Sequence, residues 1–216
     1  MTKYKPIKLS NNALILFYVI SLSLVSIASK NVLPFNEILL NSLSEQLSAD
    51  RIQNFISTQK KWEWLTYIIF PLLLLFKWLL TSIAIYTGTI FFEFKASFKE
   101  LFRIVLLSEI VFLVLALVKF LWFFIYKDHL TLEYVQFFQP LSLSNLFNVG
   151  ELEPWFIYPV QSFNLFELSY WFSLAFLLSK KLDMPFWKSF DFVLSTYVIG
   201  FLIWLVFVSF FILNLS

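Results

Sequence analysis

Residues Trp64–Tyr126 read WLTYIIFPLLLLFKWLLTSIAIYTGTIFFEFKASFKELFRIVLLSEIVFLVLALVKFLWFFIY. Trp64 to Phe92 is a run of 29 residues whose only charge is Lys77. A charged elbow follows at Glu93–Glu100, with Lys95 and Lys99 inside it. Leu101 to Tyr126 adds 26 residues, interrupted by Arg103, Glu109 and Lys119. About 20 apolar residues rising ~1.5 Å each cross a hydrocarbon core of ~30 Å. The stretch therefore reads as a transmembrane helical hairpin.

Composition agrees. Hydrophobic residues make up 60% of the chain and charged residues 14%, with a mean hydropathy of +0.79. Soluble domains carry about 25% charge. Backbone polar groups in lipid must bond within the protein, so a spanning chain is either helical or a closed barrel. Three glycines and the absence of ten-residue alternation exclude the barrel reading. There is no cysteine, so disulfides, thiolate metal sites and a cysteine nucleophile are excluded. A net charge of +2 gives no footprint for nucleic acid.

These rules predict an all-α, polytopic membrane helical bundle forming a single domain over residues 1–216. About five spans are expected, near 13–29, 64–92, 101–126, 160–179 and 192–213. Exterior loops fall at 30–61 and 127–154. The first span is read as an uncleaved helix, with a signal peptide ending near Ser26–Ile27–Ala28 as the alternative. Within 30–61, Phe35, Ile38, Leu39, Leu43 and Leu47 recur at helical spacing opposite Glu45, Gln46 and Ser48. This predicts an exterior amphipathic helix packed on the bundle, with a place in the headgroup region or on a partner as the alternative, a break near Ser48–Asp50, and a separate short piece at Ile52–Ile56. Trp62 and Trp64 mark an interface, and Pro71 should kink the second span. Leu141–Phe147 is too short to cross and reads as a surface segment. No internal repeat stands out.

Charge placement orients the chain. Lys3, Lys5, Lys8, Lys95, Lys99, Arg103, Lys180, Lys181 and Lys188 fall on one side, and Lys30, Arg51, Lys60, Lys61 and Lys127 on the other. The positive-inside rule then places the N-terminus in the cytoplasm and the C-terminus outside. The Phe-, Lys- and Asn-rich vocabulary points to an AT-rich bacterial genome, hence a bacterial cytoplasmic (inner) membrane.

The residues that stand out chemically are the charges inside the spans: Lys77, Glu109, Lys119 and Glu167. Each costs roughly 2.5–3.5 kcal/mol at mid-membrane on insertion scales, so each should face the interior and pair. Counting helical rise from Phe92, Arg103 and Lys180 puts Lys77 at ~22 Å, Lys119 at ~24 Å, Glu167 at ~20 Å and Glu109 at ~9 Å. Glu167 is thus expected to pair with Lys119 or Lys77, while Glu109 finds a deeper partner or is protonated. Glu167→Gln should then be damaging and Glu109→Gln nearly silent. No catalytic set is legible. Phosphate loops, Ser/His/Asp groupings and paired carboxylates within a span are all missing from the sequence. His129 with Glu133 could share a helix face, but two ligands in a polar loop do not make a metal site. No cofactor is expected.

The spans, the cytoplasmic N-terminus and the basic elbow resemble the Yip1-domain membrane proteins. The likeness is carried by Phe94–Lys95–Ala96–Ser97–Phe98–Lys99–Glu100–Leu101–Phe102–Arg103, by Leu106–Leu107–Ser108–Glu109, and by the loop Phe137–Phe138–Gln139–Pro140–Leu141–Ser142–Leu143. It implies a five-span bundle without enzyme activity. The Asp-Leu-Tyr-Gly-Pro signature of the eukaryotic branch is absent, which argues against vesicle trafficking. The expected function is a non-enzymatic scaffold or accessory subunit of a membrane complex, with the bilayer and further membrane proteins as partners. A transporter or channel component using the intramembrane charges is the alternative.

Overall fold

The computed structural model describes residues 9–43, 48–127 and 130–215. Among these the chain is helical, with a single isolated bridge, Ser142–Asn164, and no strand. Helix α1 is Asn11–Val32, its first turn capped by Ser10, whose hydroxyl accepts from the Ala13 N–H at 3.2 Å. Helix α2 is Phe35–Leu43, and α3 runs unbroken from Ala49 to Phe91, 43 residues. Next come α4 (Phe98–Ser108) and α5 (Ile110–Tyr126), separated by Glu109. Helix α6 is Leu132–Phe137. Helices α7 (Pro154–Ser162) and α8 (Leu165–Lys181) follow. Last come α9 (Phe186–Val193), a π-helical turn (Leu194–Val198) and α10 (Ile199–Leu215).

Among the described residues four helical stretches are long and apolar enough to cross a membrane: Asn11–Val32, Asp50–Phe91, Phe98–Tyr126 and Phe186–Leu215. Several sequence expectations change in detail. Ile52 and Ile56 do not form a separate piece but belong to the first turns of α3, where with Leu39 they make a small buried cluster against Leu132. The phase shift between Leu39 on α2 and Ile52 on α3 is a true change of helix, and α3 itself then packs on α2 at its start and on the bundle from Trp78 to Ile85. Ser48 does mark the break before it, as the N-cap. Pro71 deletes one ladder bond, to the Tyr67 carbonyl, without ending the helix. The stretch read as one span at 160–179 is two helices meeting at Phe163–Asn164. Leu141–Ser144 is not merely a surface segment. The Leu143 N–H donates to the Phe163 carbonyl (2.9 Å) and the Leu165 N–H to the Leu141 carbonyl (3.1 Å), so this loop satisfies the backbone freed by the break.

The core centres on α4 and α8. Leu101, Ile104, Val105 and Ser108 line the inner side of α4, while Tyr170, Leu174 and Leu178 repeat every fourth residue on α8. Helix α1 adds Leu14, Tyr18 and Leu22 at the same spacing. At one end of the bundle the Arg103 guanidinium donates to the Leu9 carbonyl, Asn11 Nδ2 to the Lys99 carbonyl (3.3 Å), and Lys181 pairs with Glu100. The elbow, the start of α1 and the end of α8 therefore share one end. Lys30 pairs with Glu63 elsewhere, tying the end of α1 to α3.

Two hairpins within the bundle repeat each other. Helix α3 ends with Glu93 in the left-handed region (φ 57°), and the Phe94 N–H donates back to the Thr89 carbonyl at 2.8 Å. Helix α8 ends the same way, with Asp183 at φ 50° and the Met184 N–H donating to the Ser179 carbonyl at 3.1 Å. Both are Schellman caps with an acid where glycine is usual. Eighteen residues before these acids stand Leu75–Phe76 and Leu165–Phe166. Beyond the turns, Phe98, Phe102, Val105, Leu106 and Ser108 match Phe186, Phe190, Val193, Leu194 and Thr196 at identical spacing. The first turn is two residues longer than the second, so no single period aligns both arms and the repeat escapes a reading by period.

The hairpins meet closely at Gly88. A Cβ there would lie 2.1 Å from Thr196 Cγ2 and 3.0 Å from a Phe192 ring carbon, so only glycine lets α3 approach the π-helical turn.

Candidate functional site

The repeat places polar groups at matching positions. Sixteen residues before the left-handed acid stand Lys77 on α3 and Glu167 on α8. Eleven residues after the first phenylalanine of the return arm stand Glu109 and Tyr197. Each hairpin then closes its own pair. Lys77 Nζ lies 2.8 Å from Glu109 Oε1, and the Tyr197 hydroxyl donates to Glu167 Oε1 at 2.8 Å. Trp171 Nε1, one turn along α8, donates to that same oxygen at 2.8 Å.

The helices are interrupted where these groups sit. Glu109 is the single turn residue between α4 and α5, and its N–H is shared between the Val105 and Leu106 carbonyls. Tyr197 lies in the π-helical turn, a form frequent at functional positions. Glu167 is in the first turn of α8, whose start is fixed by Asn164 Oδ1 accepting from the Glu167 N–H at 2.9 Å. Asn164 Nδ2 in turn donates to the carbonyls of Gln161 and Ser162 at the end of α7.

Aromatic rings wall the centre. Lys77 Nζ stands 3.5 Å above the centroid of Phe112 and 5.6 Å from that of Tyr170. Tyr170 packs on Phe112 and Tyr197, with centroids 4.9 and 5.3 Å away, and Tyr18 on Trp78 at 6.1 Å. A cation over a ring in a desolvated setting gains about 2 kcal/mol. Glu109 is 1% exposed, whereas the Lys77 side chain is 36% exposed, so the centre reaches the outer surface of the bundle through the lysine. Four buried atoms here lack a hydrogen-bond partner among the described residues: Glu109 Oε2, Ser108 Oγ, Trp78 Nε1 and the Tyr170 hydroxyl, the last with the Thr81 side chain beside it.

Comparison with protein-family profiles, with curated proteins and with solved structures finds no match. The geometry carries the functional argument.

Of the residues singled out from sequence, the structure unites Lys77, Glu109 and Glu167 around one centre and leaves Lys119 apart. Lys119 Nζ reaches Gln139 Oε1 at 3.5 Å and stands 5.7 Å from the Phe123 ring, toward the loop end of α5. The expected pairing of Glu167 with a lysine is overturned, since Glu167 takes two neutral donors while Lys77 goes to Glu109. The depth estimate for Glu109 was too shallow because it began at Arg103. Helix α4 begins five residues earlier at Phe98, which adds ~7.5 Å. Lys77 and Glu167 do stand at equal depth, but they face different neighbours. His129 lies outside the described residues, and among the described residues no cluster of metal-ligating side chains forms. Sequence reading missed Tyr170, Tyr197 and Trp171. Their signal was position: polar aromatics collect at interfaces, and these stand well inside apolar stretches of sequence.

Proposed function

We propose that the chain is a five-span integral membrane protein of a bacterial cytoplasmic membrane and acts as a transporter or channel component through its polar centre. In this reading α8, 17 residues and ~26 Å long, is the span between Phe98–Tyr126 and Phe186–Leu215, extended by α7. The N-terminus is cytoplasmic, the C-terminus exterior, and α2 with the first turns of α3 forms the exterior helical segment. The carrying observation is Glu109 Oε2, a buried carboxylate oxygen at a helix interruption without a partner among the described residues. Ionisable groups inside spans, gathered where helices are discontinuous, are the recurring build of transport sites. Reconstituted in liposomes, the protein should conduct protons or a small cation above the rate of empty vesicles, and Glu109→Gln should remove that flux. Flux equal to that of empty vesicles would sink this reading.

A second reading has its own support. Lys77 and Glu167 both find partners within the chain, as a structural brace would require. On this reading the protein is a non-enzymatic scaffold or accessory subunit, in keeping with the likeness to Yip1-domain proteins. Purification in mild detergent would then yield a stoichiometric membrane-protein partner, and that partner would persist with Glu109→Gln.

A further inference from the structure

We infer that the polar centre binds a single exchangeable proton, carried alternately by Glu109 and Glu167, with Lys77 staying beside whichever carboxylate is ionised. The inference deepens the transport reading and rests on it for its purpose, though not for its chemistry.

The groups facing the centre are Tyr18 from α1, Lys77 from α3, Glu109 between α4 and α5, Glu167 and Tyr170 from α8, and Tyr197 from the π-helical turn. One of these is a cation and two are carboxylates. With all three ionised the enclosed charge is −1, and an uncompensated charge in a low-dielectric interior is costly. One added proton makes the centre neutral. The proton comes from the aqueous phase and forms an O–H bond on a carboxylate oxygen, and nothing else is made or broken.

An alkali cation does not fit the same place. The Lys77 ammonium already occupies the open side of Glu109 at 2.8 Å and would repel it. A proton needs only one lone pair, and Glu109 Oε2 offers one.

The repeat explains how two carriers can share one lysine. Lys77 and Glu167 stand on equivalent helices at the same distance from equivalent turns, so Lys77 can move from Glu109 toward Glu167 without changing depth. Tyr170 joins the two ends of that path, standing 5.6 Å from Lys77 Nζ and packing on Tyr197, which bonds Glu167. The aromatic floor of Phe112, Tyr170 and Tyr197 lies along that path.

The test is infrared difference spectroscopy of the intact protein in lipid nanodiscs, titrated with acid and base. The readout is the carbonyl stretch of a protonated carboxyl group that shifts in heavy water. The wild type should show one such band assignable to the centre. Glu109→Gln and Glu167→Gln should each abolish it, because one carboxylate with Lys77 is already neutral. Lys77→Met should double it, because two carboxylates then have no cation. Absence of the band in the wild type overturns the proposal. Loss in only one of the two glutamine variants overturns the sharing, and a band that weakens as sodium rises overturns the choice of proton. Should Glu167→Gln not fold, Tyr197→Phe serves instead: it deletes a hydrogen bond to one carrier and should move the band, and an unmoved band counts against the proposal. The spectrum reads binding without flux, so a band present in a protein that conducts nothing would overturn the transport reading alone.

Discussion

The hairpin α3–α5 and the hairpin α8–α10 share a cap and a register of apolar residues on each arm, yet they hold their centres together by different chemistry. The first uses an ammonium and a carboxylate, Lys77 and Glu109. The second uses a carboxylate held by two neutral donors, Tyr197 and Trp171. Position is therefore set by the repeat and identity is not. An ion pair loses heavily when one partner is removed, because the other charge must give up its bonded position. A carboxylate bonded to neutral groups can be replaced by an amide with little loss.

The largest expected effect follows from that difference. Glu109→Gln should lower stability by roughly 3 kcal/mol, the upper end for a lost charge-assisted hydrogen bond, because Lys77 must leave its place over Phe112 to reach Glu167. Glu167→Gln should cost only about 1 kcal/mol, since the amide oxygen still accepts from Trp171 and Tyr197. This is the reverse of the order that depth counting gave. Thermal denaturation in detergent measures both, and a Glu167→Gln loss larger than that of Glu109→Gln would make the two hairpins energetically alike. Lys77→Met combined with Glu109→Leu should recover most of the loss.

Next in size is the contact between the hairpins. Gly88→Ala places a methyl against Thr196 and should cost about 2 kcal/mol, within the usual range for overpacking. Gly200→Ala meets only the Ala84 Cβ, at 3.7 Å, and should be neutral or slightly stabilising. The same melting assay separates them, and equal effects would mean that the hairpins do not approach at Gly88.

A smaller effect tests the equivalence of the two turns. A non-glycine residue in the left-handed region costs roughly 1–2 kcal/mol, partly offset in glycine by its greater freedom when unfolded. Glu93→Gly and Asp183→Gly should each raise stability by about 0.5 kcal/mol, and by similar amounts. A gain at one turn and a loss at the other would separate them.

The last test changes no stability and asks whether the turns face the same compartment. Single cysteines at Lys95 and Lys188, both exposed, should be shielded from an impermeant thiol reagent in intact cells, while one at the exposed Leu146 reacts. Ser144 in the same loop is buried and unsuited to the assay. Labelling at Lys95 without labelling at Leu146 would invert the orientation.

Much of the candidate site could be read in the sequence, and the failures have a common cause. Lys77, Glu109 and Glu167 were found because a charge within an apolar run is conspicuous. Lys119 was found by the same signal but sits toward the loop end of α5, where Gln139 meets it. Tyr197 and Trp171 were overlooked because a polar aromatic in a Phe-rich helix has no contrast.

The sequence by itself determined the class, the approximate limits of the long apolar helices and the depth of Lys77 and Glu167. All of these depend on distance along one helix, which accumulates at ~1.5 Å per residue whatever surrounds it. Tertiary structure alone decided the azimuth of each side chain and hence the pairing. It also decided the close approach at Gly88 and the alignment of two hairpins whose turns differ in length. Azimuth depends on where neighbouring helices stand, and packing fixes which face of each helix meets the centre. Lys77 and Glu167 lie at one depth, yet packing turns Lys77 to Glu109 and Glu167 to Tyr197.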